Sequence, residues 1–135
     1  MELAQLAWLN AKLHDDIVAR REHLPPVADR ARQLAAIVDA YGLTARQRRG
    51  FLDQIIEFAI CDTAWEADDA AITAETTAHP VALWAMAWRA RSAAWMIRHR
   101  RTLERALARG SVVTSSSSGR PDSQAGHPDD RVRPA

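Results

Sequence analysis

The chain has 135 residues, a formal net charge of +1, 26% charged residues and 47% hydrophobic residues. This length suits one domain, and the hydrophobic share argues against disorder of the whole chain. A nearly neutral charge argues against a dedicated polyanion-binding protein, and a single cysteine, Cys61, allows no internal disulfide. The start lacks the basic residues of a signal peptide and no apolar run reaches the ~18 residues of a membrane span, so we expect a cytoplasmic protein without membrane contact.

The composition predicts an all-α fold. Ala, Leu and Arg, which favour helices, are abundant, and no segment shows the alternation of a half-buried strand. We predict an antiparallel helical bundle of about four helices in a domain over residues 1–110. Residues 111–135, rich in Ser, Gly, Pro and charge, are predicted to form a disordered tail.

The first predicted helix covers residues 2–21 and ends before Leu24-Pro25-Pro26, because a residue before proline avoids the helical region. Its apolar stripe recurs every three or four residues and comprises Leu3, Leu6, Leu9, Leu13 and Ile17. The second predicted helix begins near Pro26 and ends before Gly42, which is the expected left-handed cap. Its stripe comprises Val27, Ala31, Leu34, Val38 and Tyr41.

The third predicted helix begins at Thr44, which forms a capping box with Gln47, and continues to about residue 70. Its inner stripe comprises Phe51, Ile55 and Phe58. A polar connection over residues 71–79 follows. Pro80 then starts the fourth and longest predicted helix, which runs to about Arg109.

The charges are unevenly distributed between the last two predicted helices. Residues 51–80 carry seven acids and no Lys or Arg, whereas residues 81–110 carry seven arginines and one acid. Three of the acids share an arc that continues the apolar stripe of the third helix: Asp62, Glu66 and Asp69. They either pair with arginines of the fourth helix, where Arg89 and Arg91 fall opposite residues 59–62, or line a cleft for a cationic ligand. We favour the ion pairs.

The fourth predicted helix carries an aromatic arc interleaved with arginine: Trp84, Trp88, Arg91 and Trp95. A more apolar arc lies beside it: Leu83, Ala87, Ala90, Ala94 and Ile97. We interpret this helix as buried on a wide face, with arginines at its edge, rather than as a surface that stacks on bases or sugars.

Other chemistry-bearing residues form no site. The side chains of His14-Asp15-Asp16 point apart on a helix and cannot converge on one metal ion, and we assign no catalytic residue. Arg46, Arg48 and Arg49 follow a turn that resembles a helix-turn-helix. We do not expect nucleic-acid binding, because the acidic remainder of that helix would be repelled by the phosphate backbone.

Several segments spread over the helices are similar to one known family. They are RARQL (30–34), DAYGL (39–43), IEFA (56–59), WEADDA (65–70), LWAMAWRARSAAW (83–95) and RHR (98–100), with LAQLAWL (3–9) upstream. Together they resemble the C-terminal helical region of aminoglycoside phosphotransferase-like (choline-kinase-like) enzymes of actinobacterial type. The family's His-Gly-Asp catalytic loop and Asp-x-Asp metal site have no counterpart in this chain.

The resemblance implies that the chain is the substrate-binding portion of a kinase. Because the ATP lobe and the catalytic loop are missing, this portion is expected to be inactive alone. It would come from a truncated gene product or from a mis-assigned start. Asp62, Glu66 and Asp69 become candidate substrate-binding residues for an aminoglycoside or polyamine-like cation. ATP and Mg²⁺ are expected only for the complete enzyme, with no metal ligand in this chain. The expected protein partner is a second copy or the missing catalytic lobe. The alternative is a stand-alone helical interaction module, with DNA binding as a weaker third option.

Overall fold

A computed structural model describes residues 2–109, and all regular secondary structure within that range is helical. The helices are α1 (Glu2–Asn10), α2 (Asp16–Arg21), α3 (Val27–Ala40), α4 (Ala45–Arg49), α5 (Phe51–Asp69), α6 (Pro80–Arg98) and α7 (Arg100–Arg109). The predicted all-α fold is therefore confirmed. The predicted tail, residues 111–135, lies outside the described residues.

Three of the four predicted helices are interrupted. The first breaks because Lys12 adopts a left-handed conformation (φ 54°) and Asp15 caps a new helix, its carboxylate accepting hydrogen bonds from the Ile17 and Val18 amides. The third breaks at Gly50, a residue of low helix propensity, and the fourth at His99. The four predicted helical segments are therefore present within residues 2–109, and the three interruptions divide them into seven helices of a helical bundle.

The helix ends that have local signals lie where the sequence predicts them. Thr44 Oγ1 accepts a hydrogen bond from the Gln47 amide, and the Thr44 amide donates to Gln47 Oε1 at 2.8 Å, which completes the capping box. Gly42 follows α3 with φ 66°, and α6 begins at Pro80. These three predictions are confirmed.

The core lies between two helix pairs. α5 packs on α6, α3 packs on α7, and α1 packs on α5 and α3. Asp62 contacts Arg89 whereas the earlier Asp53 contacts the later Arg100, so α5 runs antiparallel to α6 and α7. The largest fully buried side chains are Trp8, Leu13, Leu34, Leu52, Ile55, Trp95, Met96, Leu103 and Leu107.

The predicted stripes of α3 and α5 are largely buried, apart from the exposed Tyr41, whereas the first predicted stripe is only partly correct: Leu13 is fully buried and Leu3 packs against the core. Leu9 and Ile17 are 37% and 44% exposed, and α1 instead buries Ala4, Ala7 and Trp8. Two of the three buried residues of α1 are alanines, and their small side chains let α1 pack against α5 and α3. The larger leucines of α1 therefore do not mark the face of the helix that is buried.

The predicted wide buried face of α6 is correct only in part. Trp95 is fully buried and Trp88 is half-buried, but Trp84 is 41% exposed. The neighbouring apolar arc faces away from the core, since Leu83 and Ile97 are 42% and 52% exposed. Despite this apolar surface, no helix within residues 2–109 has both the length and the hydropathy to cross a bilayer.

Candidate functional site

A cavity of about 590 Å³ lies where α2, the α2–α3 loop, α3 and the α6–α7 junction meet. Its lining combines basic side chains with one carboxylate, an indole ring and the apolar loop residues Leu24 and Pro25. The ionisable and aromatic residues are Asp16, Arg20, His23, Arg30, Trp95 and His99. The site is a wide depression open to solvent, and polar and apolar groups contribute almost equally to its lining.

Arg30 is the central charged residue of this cavity. It is 4% exposed, and its Nη1 donates hydrogen bonds to the carbonyl oxygens of Lys12, at 3.1 Å, and His14, at 2.9 Å. Its guanidinium carbon lies 4.1 Å from the ring centroid of Trp95, within cation–π range. Burial lowers the pKa of Arg30, and the nearby Asp16 charge opposes that effect. Arg30 therefore attaches the segment before α2 to both α3 and α6.

Trp95 connects α2 to α6 through polar contacts. Its indole Nε1 donates to Asp16 Oδ1 at 3.1 Å, and the other Asp16 oxygen lies 3.8 Å from Arg98 Nη2. The His99 ring lies 4.7 Å from the Trp95 ring, centroid to centroid. These contacts hold together three residues of the cavity lining: Asp16, Trp95 and His99.

A second cavity, of about 290 Å³, lies between the α2 region and α6. Its lining residues are His14, Val18, Arg21, Glu22, Trp84 and Trp88. His14, which is 5% exposed, lines it with its ring centroid 5.3 Å from that of Trp88. Trp88 in turn stacks on Trp8 at 5.0 Å. Burial lowers the pKa of His14, so the neutral imidazole is favoured in the folded protein.

The three acids predicted as substrate-binding residues do not form one open group. Arg89 Nε lies 2.5 Å from Asp62 Oδ2, and its Nη1 lies 3.3 Å from Glu66 Oε2. Asp69 is exposed and makes no ion pair within the described residues. Asp62 and Glu66 therefore form the predicted ion pairs with α6, and Arg89 is their partner. Arg91, the other arginine predicted to face these acids, instead lies over the Trp84 ring, 5.9 Å from its centroid. Binding of a cationic ligand by the three acids stays a prediction.

The sequence did not single out the residues of the larger cavity as a site. Arg30 had one usable signal, since it lies three residues after Val27 and four before Leu34, on the apolar face of α3. A charged residue at such a position is either buried with partners or strained. Asp16 had no comparable signal, because its contact with Trp95 spans 79 residues of sequence.

Comparison with known proteins gives one informative relative. No protein-family model matches the chain, and no solved structure matches it. The trifolitoxin immunity protein of Rhizobium leguminosarum bv. trifolii is 53% identical to this chain over 109 residues. The match covers 80% of this chain and 41% of that relative, so the chain spans less than half of the relative's length.

This relative overturns the resemblance to aminoglycoside phosphotransferase-like enzymes. No kinase family matches, and the name of the relative describes immunity to a toxin. The assignment as a kinase fragment is therefore wrong, and neither the stand-alone interaction module nor DNA binding matches the relative. The supporting segments were Ala- and Arg-rich helical sequence without a short diagnostic motif, a pattern that amphipathic helices of unrelated proteins share.

Proposed function

We propose that this chain contributes to immunity against a toxin of the kind named for its relative. The observation that carries the proposal is the 53% identity over 109 residues, which extends over most of this chain. Identity at that level over so many residues supports a common fold for the aligned region. It also supports a common role for that region.

The proposal concerns the aligned region rather than a whole immunity protein. The aligned residues make up 41% of the relative, so the remainder of the relative has no counterpart in the alignment. We infer that this helical region supplies one part of the protective activity. Its contribution is best tested both alone and within the longer relative.

Protection through binding of the toxin is the route that the described residues support best. The cavity beside Arg30 brings polar and aromatic groups together, as ligand sites do. In addition, Leu83 and Ile97 expose an apolar stripe on α6, and such stripes are typical of interaction surfaces. A toxin is the ligand class that the name of the relative provides.

The experiment uses a strain that is sensitive to trifolitoxin. In one arm the strain expresses this full chain, and in a second arm it expresses a chimera in which this chain replaces the aligned region of the relative. Growth is measured over a range of toxin concentrations, with the intact relative and an empty vector as references. We expect the chimera to raise the inhibitory concentration of the toxin several-fold over the empty vector.

Two variants make the assay specific for the folded region. Leu34→Asp places a charge in the core and is expected to abolish protection by the chimera, whereas Arg32→Ala changes an exposed residue and is expected to preserve protection. A chimera that accumulates in folded form but protects no better than the empty vector would overturn the proposal.

A further inference from the structure

Arg30 is a buried cation that makes no ion pair within residues 2–109. Its partners are two backbone carbonyls and the face of Trp95, and its Nε is buried without an acceptor. The Asp16 carboxylate is already engaged by Trp95 and Arg98. Buried charged groups are nearly always paired, because removing a charge from water is costly unless an opposite charge or several hydrogen bonds compensate. Arg30 is therefore a buried cation whose Nε–H donor meets no acceptor within residues 2–109.

The cavity next to Arg30 has the composition of an anion site. Besides the guanidinium of Arg30, its lining includes a second arginine, Arg20, and the ring nitrogens of His23 and His99, with Asp16 as the carboxylate in the lining. Its volume of about 590 Å³ falls within the ~300–1,000 Å³ range of small-molecule sites. Leu24 and Pro25 supply apolar walls for the uncharged part of a ligand.

We propose that this cavity binds the anionic group of a small carboxylate- or phosphate-bearing ligand, with the Arg30 guanidinium as its main partner. A guanidinium presents a planar set of donors that matches the oxygens of both groups. The Nη1 donors are directed to backbone carbonyls, so the anion engages the remaining edge of the guanidinium. The proposal does not depend on toxin immunity, and its test uses binding alone.

The test is an NMR titration of the full, ¹⁵N-labelled chain. Acetate and inorganic phosphate are added in separate experiments, with sodium chloride adjusted to hold the ionic strength constant. We expect a saturable shift of the Arg30 Nε–H and Trp95 indole N–H signals. A response to acetate only, or to phosphate only, identifies the recognised group as a carboxylate or a phosphate. If neither probe shifts these signals, the guanidinium is satisfied by its carbonyl and indole contacts, and the proposal is wrong.

Variants of the lining residues then test which side chains bind the anion. Arg30→Gln is expected to abolish the saturable shift of Trp95, and Arg32→Ala, on the same helix, is the matched control that leaves binding unchanged. Because Arg30→Gln also removes donors from two buried carbonyls, the double variant Arg20→Ala/His99→Ala provides an independent test at the rim. The double variant is expected to weaken binding several-fold. Unchanged affinity in folded Arg30→Gln, or in the double variant if Arg30→Gln does not fold, would overturn the proposal.

Discussion

Arg89 Nε lies 2.5 Å from Asp62 Oδ2 and thereby joins α6 to α5 near the middle of both helices. The same guanidinium lies 3.3 Å from Glu66, one turn further along α5, so a single arginine is the shared partner of two acids on one helix face. All three side chains are mostly buried, with 15%, 24% and 21% exposure for Arg89, Asp62 and Glu66. The contact is therefore less screened by solvent than a surface ion pair.

Arg89→Ala is expected to lower the free energy of unfolding by about 1–3 kcal/mol, because it leaves two neighbouring carboxylates without their cation. Arg91→Ala is the matched control, two residues away on the same helix. Arg91 is exposed and only lies over Trp84, so the expected change is within about 0.5 kcal/mol. Urea unfolding followed by circular dichroism measures both. Equal losses in the two variants would show that the ion pairs do not stabilise the fold.

The two helix-terminal glycines are expected to respond oppositely to alanine. Gly42 has φ 66°, a conformation that costs a residue with a Cβ roughly 1–2 kcal/mol, so Gly42→Ala should destabilise the protein by that amount. Gly50 has φ −107°, and a Cβ there would contact nothing within 4 Å. Gly50→Ala should therefore raise stability by about 0.5–1 kcal/mol through reduced freedom of the unfolded chain. Thermal unfolding distinguishes the two, and a loss at Gly50 as large as that at Gly42 would contradict the explanation.

The Thr44 capping box gives a third prediction. Thr44→Ala removes the side-chain acceptor of the Gln47 amide and should cost about 1 kcal/mol of stability. Thr44→Ser retains the hydroxyl and is expected to remain close to the wild-type protein. Chemical denaturation of the three proteins measures the difference, and a serine variant as unstable as the alanine variant would exclude the cap as the cause.

Stability should fall as the pH decreases from neutral, because of His14. Burial lowers its folded-state pKa; Glu22 and Asp15 oppose this shift, whereas Lys12 and Arg30 add to it. The unfolded chain, with a histidine pKa near ~6.5, therefore binds more protons than the folded chain below that pH. The contribution of neutral His14 to the free energy of unfolding is therefore fully present above pH ~6.5, and it is lost as the pH falls toward the lowered pKa of the folded state.

The variant His14→Phe tests this origin of the pH dependence. Phenylalanine retains an aromatic ring next to Trp8 and Trp88 but cannot be protonated. The change in unfolding free energy over the mildly acidic range should be smaller in the variant than in the wild-type protein. Denaturant titrations at a series of pH values measure it. An identical pH dependence in both proteins would assign the effect to other groups.

The sequence predicted those features whose causes lie within a few residues. The capping box at Thr44, the left-handed Gly42 and the start of α6 at Pro80 all depend on local backbone chemistry. The Arg89–Asp62 contact was also predictable, because two helices joined by a short connection pack antiparallel. The break before α2 has a weaker signal, because the regularly spaced leucines predict one continuous helix although Asp15 is a residue that can cap a new one.

The candidate site could not be predicted from such signals. Arg30, on α3, has its partners in two distant parts of the chain: Lys12 and His14 just before α2, and Trp95 on α6. Their meeting depends on how the segment before α2 and the helix α6 both pack against Arg30, a result of tertiary packing rather than of any motif. The family assignment failed for a related reason, because it relied on helix composition instead of residues that perform chemistry.

The shortness of α2 has a consequence for motion in the folded protein. A helix of six residues is not stable in isolation, so α2 persists through its Asp15 cap, through the contacts of Arg30 with the segment that precedes it, and through the Asp16–Trp95 hydrogen bond. Loss of these few contacts would free α2 while the large apolar side chains of α3, α5 and α7 stay packed. Amide hydrogens of α2 should then exchange with deuterium sooner than those of α5, and each such opening would remove one wall from both cavities, since side chains of α2 line them.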